Sequence, residues 1–124
     1  MENQHENHIL AITLAPAKID EVTSKQALET AQTLAEALDL IGILAIEMFV
    51  VPNGQVVMNE LAPRPHNSGH WSQDGAVTCQ FEQFIRAILD LPLGSTKILE
   101  NSVMVNLVGD SDSKGEVVYK NFDQ

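Results

Sequence analysis

The sequence predicts an α/β (α+β) fold arranged around a central antiparallel β-hairpin with packed helices. Three observations carry this expectation. Residues 43–51 and 56–61 are apolar runs, each interrupted by one glutamate, and Pro52-Asn53-Gly54-Gln55 between them contains Asn-Gly, a strong short-range hairpin signal. Two further stretches, Ala27–Leu38 and Val77–Leu89, repeat apolar residues at helical spacing. Short apolar runs at 9–14 and 103–108 read as additional strands.

Taken in order, Glu2–His8 is polar and carries no clear element. Ile9–Leu14 is a strand ended by Ala15-Pro16. Thr23-Ser24 can cap a helix whose apolar positions are Ala27, Leu28, Ala31, Leu34, Ala35 and Leu38. Gly42 breaks the chain before the hairpin. The second helix, Val77–Leu89, places Phe81, Phe84, Ile85, Ile88 and Leu89 on one face as expected core contacts, and Leu91-Pro92-Leu93-Gly94 ends it. Val103–Val108 is a strand, and Val117–Tyr119 reads as one more short one. The acidic segment Asp110–Glu116 departs from the EF-hand spacing and reads as a solvated loop.

Composition narrows the functional classes. At 124 residues the chain can form one compact domain or part of a larger one. Seventeen acidic residues against seven basic ones give a formal charge of −10, without the basic stripe that nucleic-acid binding requires. One cysteine, Cys79, reads as a small buried residue of the second helix and fits a reducing cytoplasm rather than a disulfide framework. No run reaches transmembrane length, and no signal-peptide pattern opens the chain. The uncapped polar opening and the stop within a potential structured segment at Gln124 are expected of a piece of a longer protein.

Chemistry concentrates in the hairpin and the loop that leaves it. If Asn53-Gly54 is a two-residue turn, Pro52 faces Gln55, and counting back along both strands sets Glu47 opposite Glu60. Facing side chains have Cβ atoms about 4.5–5.5 Å apart, where like charges repel unless a proton or a cation intervenes. The same register puts Phe49, Val51, Val56 and Met58 on the glutamate face, which favours a functional pair over two solvated carboxylates. Rigidly presented carboxylates suit Mg²⁺, which is usually completed by substrate phosphates. Asn59-Glu60-Leu61-Ala62-Pro63-Arg64-Pro65-His66-Asn67-Ser68-Gly69-His70-Trp71 then sets a guanidinium beside imidazoles and amides, a composition suited to anions. A zinc hydrolase using His66, His70 and a glutamate is a weaker alternative, because Pro65, Asn67 and Gly69 oppose the helix that would align the rings. A non-catalytic binding module is another.

The loop, together with Glu2-Asn3-Gln4-His5, Ala45–Val50, Gln80-Phe81-Glu82, Leu91–Gly94 and Ser102–Leu107, resembles the ATP-grasp superfamily, and within it most closely the N5-carboxyaminoimidazole ribonucleotide synthetase family. The resemblance runs along nearly the whole chain. It implies a fragment of the large ATP-grasp lobe, with residues 1–94 as the C-terminal half of the ATP-grasp domain and 95–124 as the start of a small C-terminal domain. The lobe that clamps adenine and the phosphate-binding loop would lie outside the chain, Met1 would be an introduced start, and the fragment would be inactive alone.

The implied reaction uses ATP and Mg²⁺ to carboxylate 5-aminoimidazole ribonucleotide with bicarbonate, in the cytoplasm and in a homodimer when full length. Another carboxylase-type ligase of the superfamily is the alternative. By the resemblance, Glu47 and Glu60 are Mg²⁺ ligands. Glu60, Asn59 and His5 border the nucleotide. Arg64, His66, Asn67 and Ser68 bind bicarbonate and the carboxyphosphate made from it. Many superfamily members carry an additional Asn ligand where this chain has Ala62.

Overall fold

The computed structural model describes residues 1–109; the short strand expected at Val117–Tyr119 and the loop at Asp110–Glu116 lie outside the described residues. The chain forms β1 (Glu2–Glu6), β2 (Ile9–Ala15), α1 (Glu21–Ala37), β3 (Ala45–Val50), β4 (Val56–Ala62), a 3₁₀ turn (Asn67–Gly69), a one-turn helix α2 (Ser72–Gly75), α3 (Gln80–Ile88) and β5 (Ser102–Val105). The expected mixed architecture is present, with two antiparallel sheets: β1-β2-β5 and the β3-β4 hairpin.

The polar opening is a strand after all. Glu6 pairs with Ile9 across a tight turn in which Asn7 and His8 both take positive φ, 49° and 65°. Such a turn usually advertises itself with glycine; here Asn and His fill it, which hides the hairpin from sequence inspection. β5 adds to the other side of β2, and Asn106 extends the pairing by donating its backbone N–H to Ala11 O at 2.8 Å and its side-chain amide to Leu10 O at 3.1 Å.

α1 begins at Glu21, with Asp20 rather than Thr23 as the cap. Asp20 accepts from the Thr23 backbone N–H and from the Thr23 hydroxyl, both at 2.8 Å. Thr23 thereby turns inward and is buried. The backbone N–H of Thr23, and then its hydroxyl, hold the Asp20 carboxyl below its ordinary range. A lowered folded-state pKa gives stability that is present above the ordinary carboxylate range and is lost as pH falls through the lowered value. Asp20→Asn keeps the acceptor and removes that proton. Its helix content, followed by far-UV circular dichroism, is therefore expected to fall less than the wild type's on acidification.

The buried apolar set is small: Leu10, Ala15, Ala62 and Ala76. Buried polar residues accompany them, and Thr13, fully buried, donates its hydroxyl to Asn3 Oδ1 at 3.0 Å. The core expected on the second helix is not formed. α3 starts at Gln80, Cys79 is its N-cap residue rather than an interior position, and Phe81, Ile85, Ile88 and Leu89 are exposed, with Phe84 half-buried. α3 is fastened instead through its polar side. Gln83 donates to Gly94 O at 2.6 Å and accepts from Gly94 N–H at 2.9 Å. Arg86 bridges Glu82 at 2.7 Å and reaches Pro92 O at 3.0 Å. Among the described residues, no helix is long and apolar enough to cross a membrane.

Candidate active site

Glu47 and Glu60 face each other in the β3–β4 ladder, as expected, but the route differs. The connection is a three-residue loop, Pro52-Asn53-Gly54, in which Val51 donates to Gln55 O at 3.0 Å and Gly54 takes the positive φ of 82° that such loops require. Val50 therefore faces Val56, one residue out of the expected register. A β-bulge at Asn59 then takes up the extra residue, so Met48 faces Met58 while Glu47 still faces Glu60.

The compensation changes which neighbours share the face. Beyond the bulge, Phe49 is opposite Val57, and Met58 and Val56 pair with Met48 and Val50 on the other face, contrary to expectation. The bulge also brings Asn59 round to the glutamates: its side-chain amide lies 3.5 Å from Glu47 Oε2. Strand β1 adds His5, whose Nε2 is 3.9 Å from Glu47 Oε1. Glu47 is well sheltered, with its side chain 16% exposed, whereas Glu60 is open to solvent. Two carboxylates with an amide and one imidazole at the margin suit a hard cation that keeps water and phosphate in its shell. Among the described residues, no group of three or more His, Cys, Asp or Glu converges as a closed metal cage would need. His70 is committed elsewhere, stacked on Phe81 with ring centroids 5.7 Å apart. The zinc arrangement is thus not formed.

The loop leaves β4 at Ala62 and folds back on itself. Arg64 is exposed and spends one N–H on Pro65 O at 3.1 Å; among the described residues the rest of its fork has no partner. His66 caps the 3₁₀ turn, and Ser68 Oγ lies 2.8 Å from its Nδ1. The Ser68 backbone N–H is shared between Asn67 Oδ1 at 3.0 Å and His66 Nδ1 at 3.4 Å. Arg64, His66, Ser68 and Gly69 lie along a groove of about 270 Å³, with Trp71 and Gln80 also lining it. Of the four expected loop residues, Arg64, His66 and Ser68 line this groove, Asn67 is tied to it through the Ser68 N–H rather than lining it, and His5, Asn59, Glu47 and Glu60 form a second group on the hairpin. Among the described residues, no hydrogen bond or ion pair joins the two groups.

Beneath the loop lies a layer that sequence inspection missed. Gln80 is buried and grips His66 by both backbone groups, accepting from its N–H at 3.0 Å and donating to its C=O at 2.7 Å. Ser72 accepts from the Gln80 backbone N–H at 3.0 Å and donates to Gly69 O at 2.6 Å. A glutamine opening a helix looks like an ordinary helix former, so no local signal marks this role. Gly69 has no room for a side chain, because a Cβ there would run into the Gln80 carboxamide. Gly69→Ala is expected to cost about 1–3 kcal/mol, as overpacking does, measurable by urea unfolding. A loss under 0.5 kcal/mol would show that the Gln80 side chain gives way freely.

Comparisons with known proteins bear on the family and the fold. The family model of the ATP-grasp domain matches residues 1–81. The chain is 50% identical over 109 residues to the N5-carboxyaminoimidazole ribonucleotide synthase of Bacillus subtilis strain 168, covering 88% of this chain and 29% of that protein. It superposes on the crystal structure of an ADP complex of an N5-carboxyaminoimidazole ribonucleotide synthetase with a TM-score of 0.85 and 52% identity, covering 86% of this chain and 28% of that one. The Aspergillus clavatus synthase crystallised with ADP and 5-aminoimidazole ribonucleotide gives a TM-score of 0.84 at 34% identity, over 88% of this chain and 30% of that one. The chain thus spans about 30% of the length of these three proteins. With the family model over most of its length and a fold shared with these synthases, the chain belongs to the ATP-grasp family.

Proposed function

We propose that this chain is the metal- and anion-binding part of an ATP-dependent ligase that carboxylates 5-aminoimidazole ribonucleotide. In that reaction bicarbonate takes the γ-phosphoryl group of ATP, releasing ADP. The exocyclic amine then attacks the carboxyphosphate carbon, phosphate leaves, and N5-carboxyaminoimidazole ribonucleotide is formed. The observation that carries the reading is the facing pair Glu47–Glu60, with the Arg64–Ser68 loop following directly from the strand that bears Glu60.

Glu47 and Glu60 would hold Mg²⁺, which when bound neutralises the charge gathering on the phosphates. His5 and Asn59 stand at the margin of that pair, in reach of Glu47, and would border the nucleotide phosphates. Arg64 supplies a planar fork for a carboxylate or phosphate edge. His66 and Asn67 offer neutral donors where negative charge develops, and Ser68 lies against His66 in the same groove. Cytoplasmic location and assembly as a homodimer belong to the same reading.

The test is a chimera in which these residues replace the matching segment of the Bacillus subtilis synthase. ADP release that requires both bicarbonate and 5-aminoimidazole ribonucleotide is the expected result. A folded chimera that turns over ATP only with a different acid and amine would make it another ligase of the family. One that binds the substrates without turnover would make it a binding module.

A further inference from the structure

We propose that Ser68 and Gln80 are positioning residues that fix His66 as a neutral hydrogen-bond donor through its Nε2–H, so that His66 serves the bound anion as a donor and not as a proton acceptor. The inference rests on the loop being the anion site proposed above, and it adds the role of His66 and the two residues that impose it.

The tautomer follows from what surrounds Nδ1. The Ser68 backbone N–H can only donate, and it points to Nδ1 as well as to Asn67 Oδ1. A proton on Nδ1 would meet that N–H head-on. Nδ1 is therefore the lone-pair nitrogen, and the Ser68 hydroxyl, 2.8 Å away, donates to it as well. In a neutral imidazole the proton then resides on Nε2. Among the described residues Nε2 has no hydrogen-bond partner, and His66 lines the same groove as Arg64. A ring in this state cannot take a proton at Nε2. It can only offer one, which is the polarity that a carboxylate or phosphate oxygen needs.

Fixing the tautomer is useful only if the ring is also held in place, and Gln80 does this. Its carboxamide pairs with the N–H and C=O of His66 as a neighbouring strand would, from a buried position that its own backbone bond to Ser72 keeps in register. Ser68 is itself buried, so its hydroxyl cannot exchange His66 for bulk water. The 3₁₀ turn thus holds the ring of His66 and the start of α3 holds its backbone, with α2 steadying α3 through Ser72.

Two measurements decide the matter. In the 124-residue chain labelled with ¹⁵N-histidine, ring-nitrogen chemical shifts above the imidazole titration range should show His66 Nδ1 as the bare nitrogen and Nε2 as the protonated one. Ser68→Ala, which removes the hydroxyl but keeps the backbone N–H, should leave Nδ1 bare and move its shift further toward that of a nitrogen with a weaker hydrogen bond. A protonated Nδ1 in the wild type would overturn the proposal. In the active chimera, His66→Gln restores an amide N–H near the place of Nε2 and should retain activity within about tenfold, while His66→Ala should lose at least about 100-fold. Equal losses in the two variants would indicate proton transfer instead.

Gln80→Ala should lower kcat by about 10–100-fold with KM for ATP unchanged, as loss of an outer positioning partner does. An unchanged kcat per folded molecule would reduce Gln80 to a stabilising role. If the unsubstituted chimera shows no turnover at all, the ligase reading fails, and the ring shifts still report the tautomer on their own.

Discussion

Glu60→Gln is expected to stabilise the fold while abolishing its metal-dependent function. Glu60 faces Glu47 directly, and like charges opposed across a ladder destabilise it by a few tenths to about 1 kcal/mol. Removing one charge should return that amount in thermal or urea unfolding without metal. The same substitution deletes a ligand. Because loss of a mere partner to a metal ligand costs roughly 10–100-fold, loss of the ligand should cost at least about 100-fold in Mg²⁺-dependent turnover of the chimera. Mg²⁺ with nucleotide should no longer raise the unfolding midpoint. Glu47→Gln should gain less stability, because it leaves His5, 3.9 Å away, without its carboxylate. A variant that is less stable yet fully active would show that the pair is a structural feature of the hairpin and would remove the basis of the proposed function.

Arg64→Lys is expected to be nearly as damaging to turnover while leaving the fold alone. Arg64 is exposed and, among the described residues, its side chain bonds only its neighbour's carbonyl, so the change in stability should stay within about 0.5 kcal/mol. Lysine keeps the charge and loses the planar fork that meets two oxygens at once. If the fork steadies the carboxyphosphate oxygens, kcat/KM for bicarbonate should fall by about 10²–10³-fold, as it does when one preorganised donor is removed from an oxyanion site. KM for ATP should move little, since the nucleotide is assigned to the hairpin group. Bicarbonate-dependent initial rates in the chimera measure both quantities. Wild-type rates in the lysine variant would mean that Arg64 contributes charge alone.

The places of both residues, in the facing pair and in an exposed loop, were legible in the sequence, and the reasons differ. Arg64 lies in a loop whose composition has no use in a core. Glu60 was placed opposite Glu47 by counting from a turn that is in fact one residue longer, and the Asn59 bulge corrected the count. Asn-Gly marks where a hairpin turns but not how many residues turn it, and a bulge has no residue signature when its extra position is an asparagine. β1 escaped notice because its residues are polar and its turn lacks glycine.

The α3 expectation failed for a further reason: helical apolar spacing shows that a face exists, not that anything among these residues covers it. Gln80 was out of reach for the most basic reason. Its partners are the backbone of His66, fourteen positions away, and backbone atoms are the same in every sequence.

The two glutamines of α3 also bear on motion. Gln80 and Gln83 stand one turn apart, and each ties the helix to both main-chain groups of a single distant residue, His66 on one side and Gly94 on the other. The helix is therefore a tie-beam between the imidazole loop and the segment that follows the helix. Neither can drift without dragging the other, and the amide hydrogens of His66 and Gly94 should exchange with solvent at linked rates. A disturbance at the Pro92–Gly94 bend, which does not itself line the groove, would then be felt as a change in the aim of one ring.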